Sequence, residues 1–304
     1  MPRSFGSGSR RRGHDRSCFM LHANRPLRSV LYLPASNARA LVKARSLEVD
    51  AIIFDLEDAV APDEKAGARN TLAQALDEGG YGARLKIVRV NALDTPWGVA
   101  DAKSAADMGA DAVLLPKVDG PAQLDALAAL TGDLPLWAMM ETPLGMLNAA
   151  AIAAHGRCAG LVMGTNDLAK DMGTRFRPDR LPMMAGLGLC LLAAKAHGVA
   201  IVDGVYNAFK DDEGLKAECE QGRDMGFDGK TLIHPAQVAI ANAAFAPTEE
   251  EVELARRQID AYEAAIAEGQ AVAVVDNRIV ENLHVATARE TLAKRDAIAT
   301  LNAR

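Results

Sequence analysis

Aromatic residues make up only 4% of this 304-residue chain. Its core must therefore be built from aliphatic side chains, as in sheets covered by helices on both faces. Cysteine is scarce too. Cys18, Cys158, Cys190 and Cys219 lie far apart and no two form a Cys-x-x-Cys pair. That argues against a disulfide framework and against a cysteine zinc site, and suits a reducing cytoplasm. No apolar run approaches the roughly 18–20 residues that a membrane span needs. Basic residues are not in excess: the net charge of −6 disfavours a general nucleic-acid binder. Several motifs are missing as well. No G-x-G-x-x-G follows the first apolar run, so the dinucleotide fingerprint is absent, and so is the phosphate loop G-x-x-x-x-G-K-[ST]. Without G-x-S-x-G an α/β serine hydrolase is excluded, and without His-Glu-x-x-His or a histidine cluster zinc is not expected.

What remains is an ordinary globular composition, 49% hydrophobic and 24% charged. Charge is unevenly placed. Residues 1–19 hold Arg3, Arg10, Arg11, Arg12 and Arg16 against a single Asp, a net +4, so the remainder carries −10. This Ser-, Gly- and Arg-rich start lacks apolar periodicity, and residues 1–24 are expected to be a disordered basic tail. A plainer reading makes Met20 the start and the tail an upstream extension. From Arg28 onward, eight short apolar runs alternate with Ala-rich helical stretches: 28–34, 51–57, 85–90, 112–118, 134–141, 159–165, 199–206 and 229–234. Runs that are apolar on both faces mark parallel strands. Eight βα units over about 210 residues predict a (β/α)8 TIM barrel at 25–246 rather than an open doubly wound sheet. Residues 247–304 form an extension. Thr248 and Glu251 make a capping box, Gly269 ends that helix, and 271–295 reads as a short extended piece followed by a last helix. The extension is packing, a lid, or an arm reaching a neighbouring subunit.

In such a barrel, functional groups gather at the carboxyl ends of the strands. The second run ends in Asp55, Glu57 and Asp58, and the third in Arg89 and Asn91. The fourth carries Lys117, the fifth Glu141, the sixth leads to Asn166 and Asp167, the seventh holds Asp203, and the eighth ends in His234. Each also has a structural alternative. Asp55 and Asp203 can be carboxylates that bond loop amides, Lys117 a solvated rim charge, and His234 the cap of the following helix. Together they form a ring of oxygen ligands and cations. Carboxylates without soft ligands suit a hard cation such as Mg2+, which takes one or two of them and keeps waters and substrate oxygens. Glu141 and Asp167, at adjacent strand ends, are the natural pair. Arg89 has the fork to grip a carboxylate.

The segments LYLPAS (31–36), FDLEDAV (54–60), VRVN (88–91), PKV (116–118), METPLG (140–145), GTNDLAKDMG (164–173), VDGVYNAF (202–209) and GKTLIHPAQ (229–237) resemble, in order and spacing, the HpcH/HpaI aldolase and citrate lyase β-subunit-like family. The resemblance runs from about Arg28 to Leu292. It implies a Mg2+-dependent barrel, with Mn2+ able to substitute, acting on CoA thioesters of small hydroxy acids. It further implies Glu141 and Asp167 as metal ligands, with Asn166 beside them in the substrate site, and Arg89 on the substrate carboxylate or carbonyl. Glu57 and Asp58 would orient metal waters, and Tyr32, Lys43, Ile233 and His234 would contact CoA. Asn37 stands where the lyases carry an arginine. The lyases also carry an aspartate in a C-terminal segment that completes a neighbour's site; the matching residue here is Glu281, one methylene longer.

The segments WAMMET, IVDGVYNAFKDDEGL and AVAVVDNRIVENLH most resemble members that hydrolyse (3S)-malyl-CoA to (S)-malate and CoA. The alternative is C–C cleavage of malyl-, β-methylmalyl- or citramalyl-CoA, giving glyoxylate with acetyl- or propionyl-CoA from the first two. A pyruvate-using aldolase and a subunit that works only inside a citrate lyase complex are weaker alternatives. Partners implied are a small CoA thioester and further copies of the chain in a homo-oligomer, a trimer or hexamer, with neither nucleic acid nor membrane.

Overall fold

The structure is a computed structural model that describes residues 25–302. The expected basic tail at 1–24, with Met20 and Cys18, lies outside the described residues. Eight strands form a closed parallel barrel in sequence order: β1 (Ser29–Pro34), β2 (Ala51–Asp55), β3 (Leu85–Arg89), β4 (Ala112–Leu115), β5 (Leu136–Met140), β6 (Cys158–Met163), β7 (Ala200–Asp203) and β8 (Gly229–Leu232). β8 closes onto β1 through Val30 opposite Thr231. Seven strands fall inside the eight apolar runs, and β6 begins one residue before its run, at Cys158.

Alternation along each strand divides the apolar residues into two sets. Val30, Ile53, Ile87, Leu114, Trp137, Met139, Val162 and Val202 fill the barrel interior. Leu31, Ile52, Val88, Val113, Ala138, Leu161, Ile201 and Leu232 belong to the layer between strands and helices. Side chains two apart on a strand share a face. Tyr32, Asp55, Glu57, Arg89 and Glu141 therefore continue the inward set. Asp203 falls in the outward set.

The surrounding helices are α1 (Ala38–Ala44), α2 (Lys65–Glu78), α3 (Gly98–Asp107), α4 (Pro121–Ala128), α5 (Pro143–Leu147), α6 (Ala149–Ala153), α7 (Thr165–Asp171), α8 (Met184–His197), α9 (Asp212–Met225) and α10 (Val238–Phe245). Asp211 caps α9, accepting from Gly214 N–H at 3.0 Å. Its last turn carries Arg223 beside the macrodipole's negative end, and Gly226 in the left-handed region ends it. Pro143 opens α5 behind the N-cap Thr142.

Beyond the barrel lie α11 (Glu249–Ala267), the hairpin β9 (Ala273–Val275) and β10 (Arg278–Val280), and α12 (Asn282–Asn302). The capping box forms as the spacing requires: Glu251 N–H donates to Thr248 Oγ1 and Thr248 N–H to Glu251. The predicted extended piece is a hairpin whose two-residue turn, Asp276-Asn277, has positive φ at both positions, the geometry that suits a tight antiparallel turn. Ala265, Ala273, Val275, Val280 and Val285 form a small core of their own, separate from the barrel's two. This arm is tied to the N-terminal pole of the barrel. Arg223 pairs with Glu251 there, and Ala293 and Lys294 share a cavity of about 720 Å3 with Leu27, Ala159 and Ala200 at the strand starts. Among the described residues no helix is long and apolar enough to cross a membrane, and Cys158, Cys190 and Cys219 are buried and unpaired.

The interior depends on one size match. Trp137 is fully buried, and the register between β5 and β6 shifts so that it faces Gly160. A Cβ on Gly160 would stand 2.5 Å from the indole ring. Gly160→Ala is expected to destabilise the barrel by about 1–3 kcal/mol, the usual cost of overpacking. Urea unfolding measures this; an unchanged midpoint would show that the indole can move aside.

Candidate active site

The inward polar residues converge at the carboxyl end of the barrel. Arg89, at the end of β3, is 7% exposed. Its Nε donates to Asp55 Oδ1 at 2.7 Å and its Nη2 to Asp55 Oδ2 at 2.6 Å. Nη1 faces Glu57 Oε2 at 2.9 Å and Asp58 at 3.5 Å. The Tyr32 ring lies beneath the guanidinium, 5.0 Å from its centre, and the Tyr32 hydroxyl donates to Met139 Sδ at 3.3 Å. Burial works against the charge on Arg89, but Asp55 outweighs it and holds the guanidinium well above its ordinary value. Burial pushes the Tyr32 hydroxyl up. The fork expected to grip substrate is thus already filled from within, by Asp55.

Glu57 is also buried, and desolvation raises its pKa. Its Oε1 accepts from Lys117 Nζ at 2.6 Å, while Oε2 has no hydrogen bond of good geometry. Lys117 has φ of +52°, and its backbone N–H donates to Glu141 Oε1 at 2.7 Å. Burial alone would lower the Lys117 pKa, but its bond to Glu57 more than compensates. Glu141 is 1% exposed, and burial, reinforced by the charge of Glu57, pushes its carboxyl up to about 7. Asp167 sits half-buried in the first turn of α7, with no ion pair among the described residues.

Can these residues hold a hard cation? Among the described residues no group of three or more His, Cys, Asp or Glu is placed for one. Mg2+ needs only one or two carboxylates when waters and substrate supply the rest. Glu57 Oε2 is a buried oxygen without a well-formed hydrogen bond, and a Cβ on Gly164 would come within 2.5 Å of Glu141 Oε2, so the glycine keeps that oxygen's surroundings open. The donor set is oxygen only. These residues fit a divalent cation of the magnesium type.

Other expected residues sit further out. Asn166 and Asn207 pair their amides reciprocally, at 2.7 and 3.2 Å, across the loops after β6 and β7. Lys43 is exposed on α1, and Asn37 caps that helix, accepting from Ala40 N–H at 3.1 Å. Ile233 is 41% exposed. His234 caps the turn after β8 through Nδ1, which accepts from Ala236 N–H, and stacks on Phe209 at 4.8 Å. Glu281 precedes α12 and is exposed; its N–H donates to His284 Nδ1 at 3.0 Å. Its carboxylate pairs with nothing at the mouth of its own chain among the described residues.

Two members of the polar ring turn out to be structural. Asp203 faces outward and, fully buried, binds Arg180 at 2.7 Å and Lys230 at 3.2 Å behind α9. Asn91 donates to Leu56 O at 2.8 Å and to Asp101 at 2.6 Å, fastening the loop after β3. One supporting residue escaped the sequence reading. Lys65, at the start of α2, is 6% exposed and donates to the carbonyls of Leu56 and Glu57 at 3.0 and 2.9 Å, fixing the backbone that carries Glu57. A lysine in a polar helix start carries no signal of this in the sequence.

The site is thus a cluster of carboxylates around one buried arginine, at the carboxyl end of a closed eight-stranded parallel barrel. The chain belongs to the HpcH/HpaI aldolase/citrate lyase family, whose model matches residues 28–235. It is 67% identical over 284 residues to "(3S)-malyl-CoA thioesterase" of Cereibacter sphaeroides, covering 93% of this chain and 100% of the relative. It is 34% identical to "Citrate lyase subunit beta" of Escherichia coli (strain K12), over 90% of this chain and 94% of that one. Among solved structures, protein CitE from Mycobacterium tuberculosis in complex with magnesium, acetoacetate and coenzyme A is similar with a TM-score of 0.76 and 29% identity, covering 90% of this chain and 99% of that chain.

A cation bound by Glu141 competes with the proton that burial favours there. Metal binding needs the carboxylate ionised. Apparent Mg2+ affinity is therefore expected to be steady above the Glu141 pKa of about 7 and to fall roughly tenfold for each pH unit below it. Calorimetric titration with Mg2+ between pH 5.5 and 8.5 measures this, and Glu141→Gln should abolish the binding. A pH-independent affinity would place the cation elsewhere.

Proposed function

We propose that this chain is a Mg2+-dependent acyl-CoA thioesterase that hydrolyses (3S)-malyl-CoA to (S)-malate and CoA. The observation that carries the reading is 63–67% identity, over 93% of the chain, to four relatives named (3S)-malyl-CoA thioesterase. In the reaction, water oxygen bonds to the thioester carbonyl carbon, the C–S bond breaks, and the thiolate leaves to be protonated as CoA.

Glu141 and Asp167 would hold Mg2+, with Mn2+ able to substitute, and the cation would supply a Lewis acid at a substrate oxygen. Arg89, fixed by Asp55 and floored by Tyr32, turns its Nη1 edge to Glu57 and Asp58, and would meet the substrate beside those two carboxylates where charge builds up. Glu57 and Asp58 orient water beside it, and Asn166, paired with Asn207, borders the substrate. Lys43, Ile233 and His234 line the outer rim where the CoA moiety would lie. The family likeness carries the acyl chemistry to this site.

Glu281 supports a homo-oligomer, a trimer or hexamer. Among the described residues its carboxylate has no partner in its own chain. The tip that carries it exposes Val274 (66%), Ile279 (60%) and Leu283 (61%), an apolar surface of the kind a neighbour covers. Placed at a neighbour's mouth, Glu281 would act as acid or base there.

Two measurements test this. With malyl-CoA and Mg2+, free thiol and malate should appear together with little glyoxylate, and EDTA should stop the reaction. Glyoxylate with acetyl-CoA as the main products would reassign the chain to C–C cleavage. In mixing experiments, Glu281→Ala and Glu141→Gln chains should each be nearly inactive alone and recover part of the activity together, because a hybrid pair joins an intact barrel to an intact arm. No recovery would mean that each barrel works alone.

A further inference from the structure

Lys117 is absent from the residues assigned to substrate above, yet it stands where the two halves of the mouth meet. Through its ammonium it holds Glu57, and through its backbone N–H it holds Glu141. The mouth gathers five carboxylates, those of Asp55, Glu57, Asp58, Glu141 and Asp167. Among the described residues the cations within ion-pair distance of any of them are Arg89 and Lys117. An incoming substrate with a carboxylate of its own is repelled everywhere except near an accessible cation.

The two cations differ in what they can still offer. The Arg89 side chain is 8% exposed, and its Nε and Nη2 are spent on Asp55. The Lys117 side chain is 46% exposed. Of the three hydrogens an ammonium can donate, one goes to Glu57, and among the described residues the other two have no acceptor.

The residue is also held in place at some cost. A lysine with positive φ sits in a region that L-residues avoid, and such strain persists only where the surroundings over-determine it. They do so here. Gln123 Nε2 donates to Lys117 O at 3.1 Å, while Gln123 Oε1 accepts from Asp119 N–H at 2.6 Å. Asn148 donates to Asp119 O at 2.7 Å, and Thr142 Oγ1 bonds the Asp119 carboxylate. A rim charge with no task needs none of this.

We propose that Lys117 is the cation that receives the free carboxylate of the substrate, beside the metal-type carboxylate Glu141, while Arg89 serves the reacting end. This rests on the thioesterase reading above and adds a substrate-recognition residue to it. It also explains how one loop sets two distances: because ammonium and Glu141-binding amide belong to the same residue, the carboxylate subsite and the cation site are built at a fixed spacing.

The test is equilibrium binding of (S)-malate and, separately, of CoA by calorimetry in the presence of Mg2+, with Lys117→Met and Lys117→Arg. Lys117→Met keeps the backbone N–H to Glu141 and loses the ammonium, with its charge and its bond to Glu57. It should weaken malate at least tenfold and leave CoA within twofold, with KM for malyl-CoA rising more than kcat falls. Lys117→Arg should restore malate binding to within about threefold of wild type. If Lys117→Met does not fold, Lys117→Gln is read by the same thresholds. Where malate binds too weakly to titrate, KM for malyl-CoA takes its place. Malate affinity within twofold of wild type overturns the proposal, and so do malate and CoA affinities that fall together, which would mark Lys117 as a purely structural clamp on Glu57. A wild-type chain that fails to hydrolyse malyl-CoA would instead overturn the thioesterase reading itself.

Discussion

The pairing of Arg89 with Asp55 inside the barrel organises everything above it. Both ends of the pair come from adjacent strands, Asp55 standing opposite Arg89 in the β2–β3 register. Both are nearly dry, so neither charge could be tolerated alone; losing one partner of such a pair typically costs about 3–5 kcal/mol. Once the fork is committed to Asp55, the remaining Nη edge points to Glu57. Glu57 then recruits Lys117, and the Lys117 amide fixes Glu141. The polar mouth is thus one chain of contacts running from β2 to β5, each link setting the next.

That chain also explains why the mouth is so acidic and yet stable. Asp55 has two further tasks, accepting from Glu57 N–H at 2.9 Å and Ala59 N–H at 3.1 Å, so its carboxylate is satisfied on both oxygens. Glu141 is the unfinished member. Burial and a like charge nearby make its ionised form expensive, and Lys117 and Arg89 offset that only in part.

The barrel was legible because its signal is repetitive: eight aliphatic runs at regular spacing, each too short for a buried helix and apolar on both faces. The capping box at Thr248 and Glu251 was equally plain. The site was half legible. Position at strand ends singled out Arg89, Glu57 and Glu141, but it could not tell inward from outward when a run is apolar throughout. Asp203 and Asp55 each close an apolar strand in the sequence, yet one strand phase sends Asp55 into the barrel and the other sends Asp203 behind α9. Asn91 misled for a similar reason: it lies just past the β3 end, and its partners, Leu56 and Asp101, are 35 and 10 residues away. The turn at Asp276-Asn277 was missed because Asp-Asn is a weaker hairpin signal than Asn-Gly.

The arm has its own small core and is fastened to the barrel at its N-terminal pole, so α11 acts as a rigid spacer between anchor and tip. Its 19 residues make a rod about 28 Å long at 1.5 Å per residue. Rods of this kind measure in quantised steps. Removing a single residue from α11 would shorten it by only about 1.5 Å but would swing the hairpin and Glu281 around the axis by roughly 100°. Insertions and deletions there are tolerable only near multiples of a full helical period, so helical phase in α11, more than its composition, governs where the tip of this protein can reach.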